Sequence, residues 1–214
     1  MNTSICILSL MATALSAAAQ GTEAMLNYAA TAPLNGSPVF STIYSEINGP
    51  VGWTFQPAGN IDVTALGAFA YLVPRNGLDV GLWDSSGNLL ASELVTTTGT
   101  AVDQSFYESI TPVLLDADQT YYVAAYSPSG PMSAIVVTPT VAPNGYATMS
   151  PDIQLGEVAY SEGSGFSFPS TIDGEPDFAI IAPNFEFQPV PEPSTLCLLG
   201  GSMVGLLVRR RLRK

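Results

Sequence analysis

Punctuation is what most limits the fold open to this chain. Between residues 20 and 187 the apolar runs are short, and Pro or Gly interrupts nearly every one (17 Pro and 19 Gly in the chain). No window there repeats apolar residues every 3.6 positions, so an amphipathic helix would have no face to bury. What remains are strand-length segments at 51–55, 61–73, 78–83, 89–95, 106–110, 120–126, 134–138, 178–181 and 185–187. In the segment 120–126, alternation places Tyr122, Ala124 and Tyr126 on one face and Tyr121, Val123 and Ala125 on the other. Both faces are apolar, as a strand lying between two layers requires. Segments 78–83 and 89–95 flank Asp84-Ser85-Ser86-Gly87-Asn88, where Gly87 and Asn88 reach positive φ cheaply, which predicts a hairpin. The pattern predicts an all-β fold, an antiparallel β-sandwich, with jelly-roll and immunoglobulin-like strand orders both open. Residues 139–176 are richer in Gly, Pro and Ser, and are expected to form long loops and short edge strands of the same sandwich.

The two ends read as addresses rather than folding elements. Residues 5–15 are mostly apolar and lead to Ala17-Ala18-Ala19, the small residues a signal peptidase needs; cleavage after Ala19 predicts a signal peptide over 1–19 and an exported domain over 20–187. No Lys or Arg precedes that run, and an uncleaved anchor is the alternative. At the other end, Pro191-Glu192-Pro193 lies in an extended spacer over 188–194, followed by an apolar stretch over 195–208 and the basic end Arg209, Arg210, Arg211, Leu212, Arg213 and Lys214. Fourteen residues of helix would span about 21 Å at about 1.5 Å per residue, against about 30 Å of bilayer hydrocarbon, which suits a transient transmembrane hold. The basic cluster would keep the C-terminus cytoplasmic and act as the topology anchor.

This arrangement resembles the PEP-CTERM sorting signal of Gram-negative bacteria, in which a Pro-Glu-Pro motif, a short membrane helix and an Arg cluster close the protein. The resemblance implies an exosortase-type processing enzyme as partner, an inner-membrane intermediate, and delivery to the cell surface or extracellular matrix. A second resemblance is carried by Gly52-Trp53-Thr54-Phe55, Val63-Thr64-Ala65-Leu66-Gly67, the Val80-Gly81-Leu82-Trp83 hairpin, Leu89-Leu90-Ala91-Ser92 and Tyr121-Tyr122-Val123. These look like a recurring jelly-roll-like sandwich domain of unknown function that often precedes such tails. It implies no catalytic residues.

Charge narrows the partners. All 18 acidic residues lie between Glu23 and Glu192, and Arg75 is the only base in that stretch, giving the exported part a formal charge near −17. Nucleic acid is excluded, because phosphate binding needs clustered Lys and Arg; divalent cations and neutral extracellular polysaccharide remain compatible. The chain has no His, and its two cysteines, Cys6 and Cys197, lie in the two end segments. Nucleophile systems built on His, and zinc sites built on His or Cys, are therefore unavailable to the exported part. No catalytic pair can be sorted from the 18 acids, and the protein is expected not to be an enzyme. No cofactor is implied beyond a structural Ca²⁺, for which Asp116 and Asp118, or Asp173, Glu175 and Asp177, are the candidate ligands; solvated turn carboxylates explain the same residues. Trp83, beside the hairpin loop, is the candidate for an exposed glycan-stacking ring, with burial in the core as the alternative.

Overall fold

The computed structural model describes residues 21–26, 42–70, 72–137, 148–163, 165–176, 179–181 and 183–191. Those residues form sixteen strands and no helix. In chain order they are β1 (Thr22–Glu23), β2 (Met25–Leu26), β3 (Thr42–Ile47), β4 (Val51–Pro57), β5 (Ile61–Phe69), β6 (Leu78–Asp84), β7 (Leu89–Val95) and β8 (Thr100–Val102). After them come β9 (Ser105–Leu115), β10 (Tyr121–Tyr126), β11 (Met132–Val137), β12 (Thr148–Met149), β13 (Ile153–Tyr160), β14 (Thr171–Pro176), β15 (Ala179–Ile181) and β16 (Pro183–Pro189).

Two sheets make the sandwich. One has five strands in the order β1-β16-β5-β9-β8, the other six in the order β14-β13-β4-β10-β6-β7; smaller sheets pair β15-β11-β3 and β12-β2. Every pairing is antiparallel. The all-β antiparallel sandwich expected from the sequence is thus the fold the chain adopts.

Period-2 alternation decides which side chains meet between the sheets. From the six-stranded sheet come Trp53, Phe55, Val80, Leu82, Tyr121 and Val123; from the five-stranded sheet Ile61, Val63, Leu66, Phe185 and Phe187. Phe185 is the hub: its ring lies 4.7 Å from that of Phe55, 5.9 Å from Trp53 and 6.1 Å from Phe187. Burying a side chain of this kind contributes about 1.5–3 kcal/mol, and without disulfides in the body such burial must carry its stability. The hairpin over Asp84–Asn88 forms as the turn residues require. Gly87 adopts φ +83°, and the Asp84 carboxylate accepts from the Ser86 and Asn88 amides, both at 2.9 Å.

Two sequence expectations need correction. Segment 106–110 is only part of β9, an eleven-residue strand that continues through Pro112. The chain tolerates that proline because the β5–β9 register shifts between Val63 and Ala65, so Pro112 falls where the ladder is already broken. The span 139–176 also holds more than loops and edges. β13 lies inside the six-stranded sheet, between β14 and β4. Its alternation breaks at Gly156-Glu157, where the register with β4 shifts between Leu155 and Val158. There Thr54 Oγ1 accepts from the Glu157 amide at 2.8 Å, and a Cβ on residue 156 would come 2.1 Å from that oxygen. A bulge that needs glycine hides the strand from a period-2 reading.

Candidate functional site

The most unusual chemistry lies on the outer side of the five-stranded sheet, where the first strand meets the last. β1 pairs with β16 so that Glu23 stands directly opposite Glu186. Like charges at that separation repel, so the pairing needs compensation from elsewhere. Asn184 supplies part of it. Its Oδ1 accepts from the Met25 amide at 3.0 Å and the Phe185 amide at 2.9 Å, while its Nδ2 donates to the Met25 carbonyl at 3.0 Å and to the Tyr107 hydroxyl at 2.5 Å. This fully buried amide therefore acts as one more ladder unit, joining the start of β2 to β16.

Tyr107, on β9, donates its hydroxyl proton to Glu23 Oε1 at 2.5 Å. It reaches that carboxylate by lying across Gly67 of β5, where a Cβ would come 2.3 Å from its ring. Glu23 is only 5% exposed. Burial pushes its carboxyl up from 4.5 to about 7, Asp103 and Glu186 add to the rise, and the Tyr107 hydrogen bond opposes it. Burial likewise raises the Glu186 carboxyl. Two buried oxygens here, Ser105 Oγ and Glu186 Oε1, make no hydrogen bond.

The residues singled out from sequence lie elsewhere. Trp83 is 3% exposed, which corrects the expectation of an open stacking ring. It projects from the outer face of the six-stranded sheet. Two rings from the β13–β14 connection cover it there, Phe166 at 5.3 Å and Phe168 at 6.5 Å, with Phe168 also 4.8 Å from Tyr122. Phe166, Phe168 and Tyr122 are themselves half-buried.

Asp116 and Asp118 occupy the β9–β10 turn with exposed side chains. The backbone of that turn is tied by the Asp116 amide to Tyr121 Oη (3.0 Å), the Ala117 amide to Asn60 Oδ1 (2.9 Å) and the Asp118 amide to the Pro57 carbonyl (2.9 Å). Asp173 is exposed on β14; the side chain of Glu175, and Asp177, lie outside the described residues. Among the described residues no three acidic side chains converge as a metal site would need.

Of the sorting residues, Pro191 is exposed just beyond β16, where the Val190 amide donates to the Asn60 carbonyl at 2.9 Å. Glu192, Pro193, the apolar stretch, the basic cluster Arg209–Lys214, and Ala17 and Ala19 lie outside the described residues. Among the described residues no helix is long and apolar enough to cross a membrane. The sequence reading missed Glu23, Tyr107, Asn184 and Glu186 altogether. Only Asn184, a polar residue directly before the apolar segment 185–187, carried any local signal.

Comparison with known proteins bears on both the body and the tail. Residues 40–175 match the family described as Domain of unknown function (DUF4082), and this chain belongs to that family. Residues 189–211 match the PEP-CTERM protein-sorting motif. The second match makes this an exported protein, sorted by an exosortase and directed through the cell envelope to the surface in Gram-negative bacteria. No curated protein matches the chain. Among solved structures, the VP2 subviral particle of infectious bursal disease virus aligns with 91% of this chain and 48% of its own, at 11% identity and a TM-score of 0.17, which supports no argument about fold or function.

Proposed function

We propose that the sandwich is non-catalytic cargo: a structural or adhesive component of the cell surface or its extracellular matrix, released or transferred after recognition at Pro191-Glu192-Pro193. The observation that supports this reading is continuity. β16 ends at Pro189, the sorting motif begins at the same residue, and the folded body therefore runs straight into its address. Glu23, the carboxyl raised furthest among the described residues, is 5% exposed and hydrogen-bonded to Tyr107, as suits a structural contact better than a site open to substrate.

Intact mass and C-terminal peptide analysis of protein recovered from the native cell surface tests the proposal. Loss of the chain beyond the Pro191–Pro193 region is expected. An intact Arg209–Lys214 end, in protein still held in the inner membrane, would leave a plain single-span anchor instead.

A second reading, a glycan-binding module within extracellular polysaccharide, draws on the half-buried rings of Tyr122, Phe166 and Phe168 around Trp83. Apolar sugar faces stack on such rings. Saccharide titration followed by Trp83 fluorescence separates the two readings: a saturable change favours binding, and an unchanged spectrum favours the structural role.

A further inference from the structure

The meeting of β1 and β16 has no obvious structural purpose as a pair of like charges. Glu23 and Glu186 are cross-strand partners, and among the described residues no Lys or Arg faces them: Arg75, the only one, lies in the turn before β6. Among the described residues, three elements bring groups to Glu23. β9 contributes the Tyr107 hydroxyl, the β8–β9 turn the Asp103 carboxyl, and β16 the Glu186 carboxyl, with the Asn184 amide bonded to the same tyrosine. Two carboxyls facing each other across the ladder favour keeping a proton on the pair. The strand they hold is two residues long, and the chain just after it is firmly fixed: the Ala24 amide donates to the Phe185 carbonyl at 2.9 Å, the Ala24 carbonyl accepts from the Ser150 amide at 2.8 Å, Met25 bonds to Asn184, and β2 pairs with β12, so the carboxyl pair governs only the short strand ahead of that anchor.

We propose that β1 is a proton-operated clasp, closed on β16 while the Glu23–Glu186 pair carries a proton and loosened once both carboxylates are charged. The elevated Glu23 carboxyl agrees with this geometry and puts the transition below about pH 7. Because β16 leads directly to Pro191, the clasp fastens the first strand of the folded body to the segment from which the sorting motif emerges. Acidic surroundings would lock that end of the sandwich, and neutral ones would free the N-terminal strand.

Hydrogen exchange on the full chain in mild detergent tests this. Deuterium uptake of peptides covering residues 21–26 is measured from pH 5 to 8 and expressed as protection relative to the same peptide free in solution, which removes the intrinsic pH dependence of exchange. Protection of β1 is expected to fall by at most about tenfold per pH unit, the limit for one proton, and to level off near pH 7. Peptides covering β10 should hold constant. Glu23→Gln should remove most of the slope and keep β1 protected at pH 8, and Glu186→Gln should move the transition to lower pH. Flat wild-type protection overturns the proposal, as does an undiminished slope in Glu23→Gln. Recovery of protection at pH 8 on adding calcium chloride would also overturn it, in favour of a cation-held clasp. The wild-type titration decides the question alone if either variant fails to fold.

Discussion

Trp53 and Trp83 lie in the same six-stranded sheet with one strand between them, paired with neighbouring residues of β10: Val123 opposite Trp53, Tyr122 opposite Trp83. Adjacent positions on a strand face opposite ways, so the two indoles leave the sheet on opposite sides. Both are almost completely buried, at 0% and 3% exposure. The means differ. Trp53 is enclosed by a whole second sheet, stacks on Phe185, and donates its indole N–H to the Pro183 carbonyl at 3.2 Å. Trp83 is enclosed by two rings of one irregular connection, Phe166 and Phe168. Equal burial therefore hides unequal support: one ring is fixed by strands of two sheets, the other by the rings of a single connection.

Substitution should expose that inequality. Trp53→Ala is expected to cost about 3–5 kcal/mol in denaturant-monitored stability, since it opens a cavity between the sheets and leaves the Pro183 carbonyl without its donor. Trp83→Ala should cost about half as much, because the covering rings can collapse into the space. Equal losses would show that the outer cluster is as rigid as the core. Between these two in size stands a pH effect. The unfolded Glu23 carboxyl titrates near 4.5 and the folded one near 7, so the folded chain holds a proton that the unfolded chain releases. Stability from this group is complete below pH 4.5, declines as pH rises to about 7, and is flat above. The full decline amounts to at most about 3 kcal/mol, and Glu23→Gln should abolish it in urea titrations across pH 5–8.

Phe168→Ala comes lower, at about 1–2 kcal/mol, given that its ring is only half-buried. It should also red-shift Trp83 emission in a Trp53→Phe background; an unmoved spectrum would mean that Phe166 alone shields the indole. The smallest effect is expected from Asp84→Ala. The carboxylate is held below its usual range by the Asn88 side chain and the loop amides, yet the residue is only half-buried at the surface. Its loss should appear only as faster exchange of the Ser86 and Asn88 amides.

The parts legible from sequence were those whose information is local. The 84–88 turn, the alternation of β10 and the Pro-Glu-Pro tail each declare themselves within a few residues, because turn chemistry, pleat and recognition motif act at that range. Two strands whose irregularity falls on a Gly or a Pro, β13 and β9, were illegible or cut short. Gly156 in β13 and Pro112 in β9 each break the pattern where the ladder itself is broken, and a strand-breaking residue in the sequence looks the same whether it ends a strand or bends one.

Composition and contiguous motifs were enough to give the fold class, the C-terminal sorting motif and the absence of His and Cys chemistry from residues 20–187. Only the tertiary structure decided that Trp83 is covered and that Glu23 faces Glu186. The Met25–Asn184 bond beside that pair joins residues 159 positions apart. Contacts of that kind exist only once the chain has returned on itself, and the burial that raises the Glu23 carboxyl belongs to the closed sandwich rather than to any segment of it.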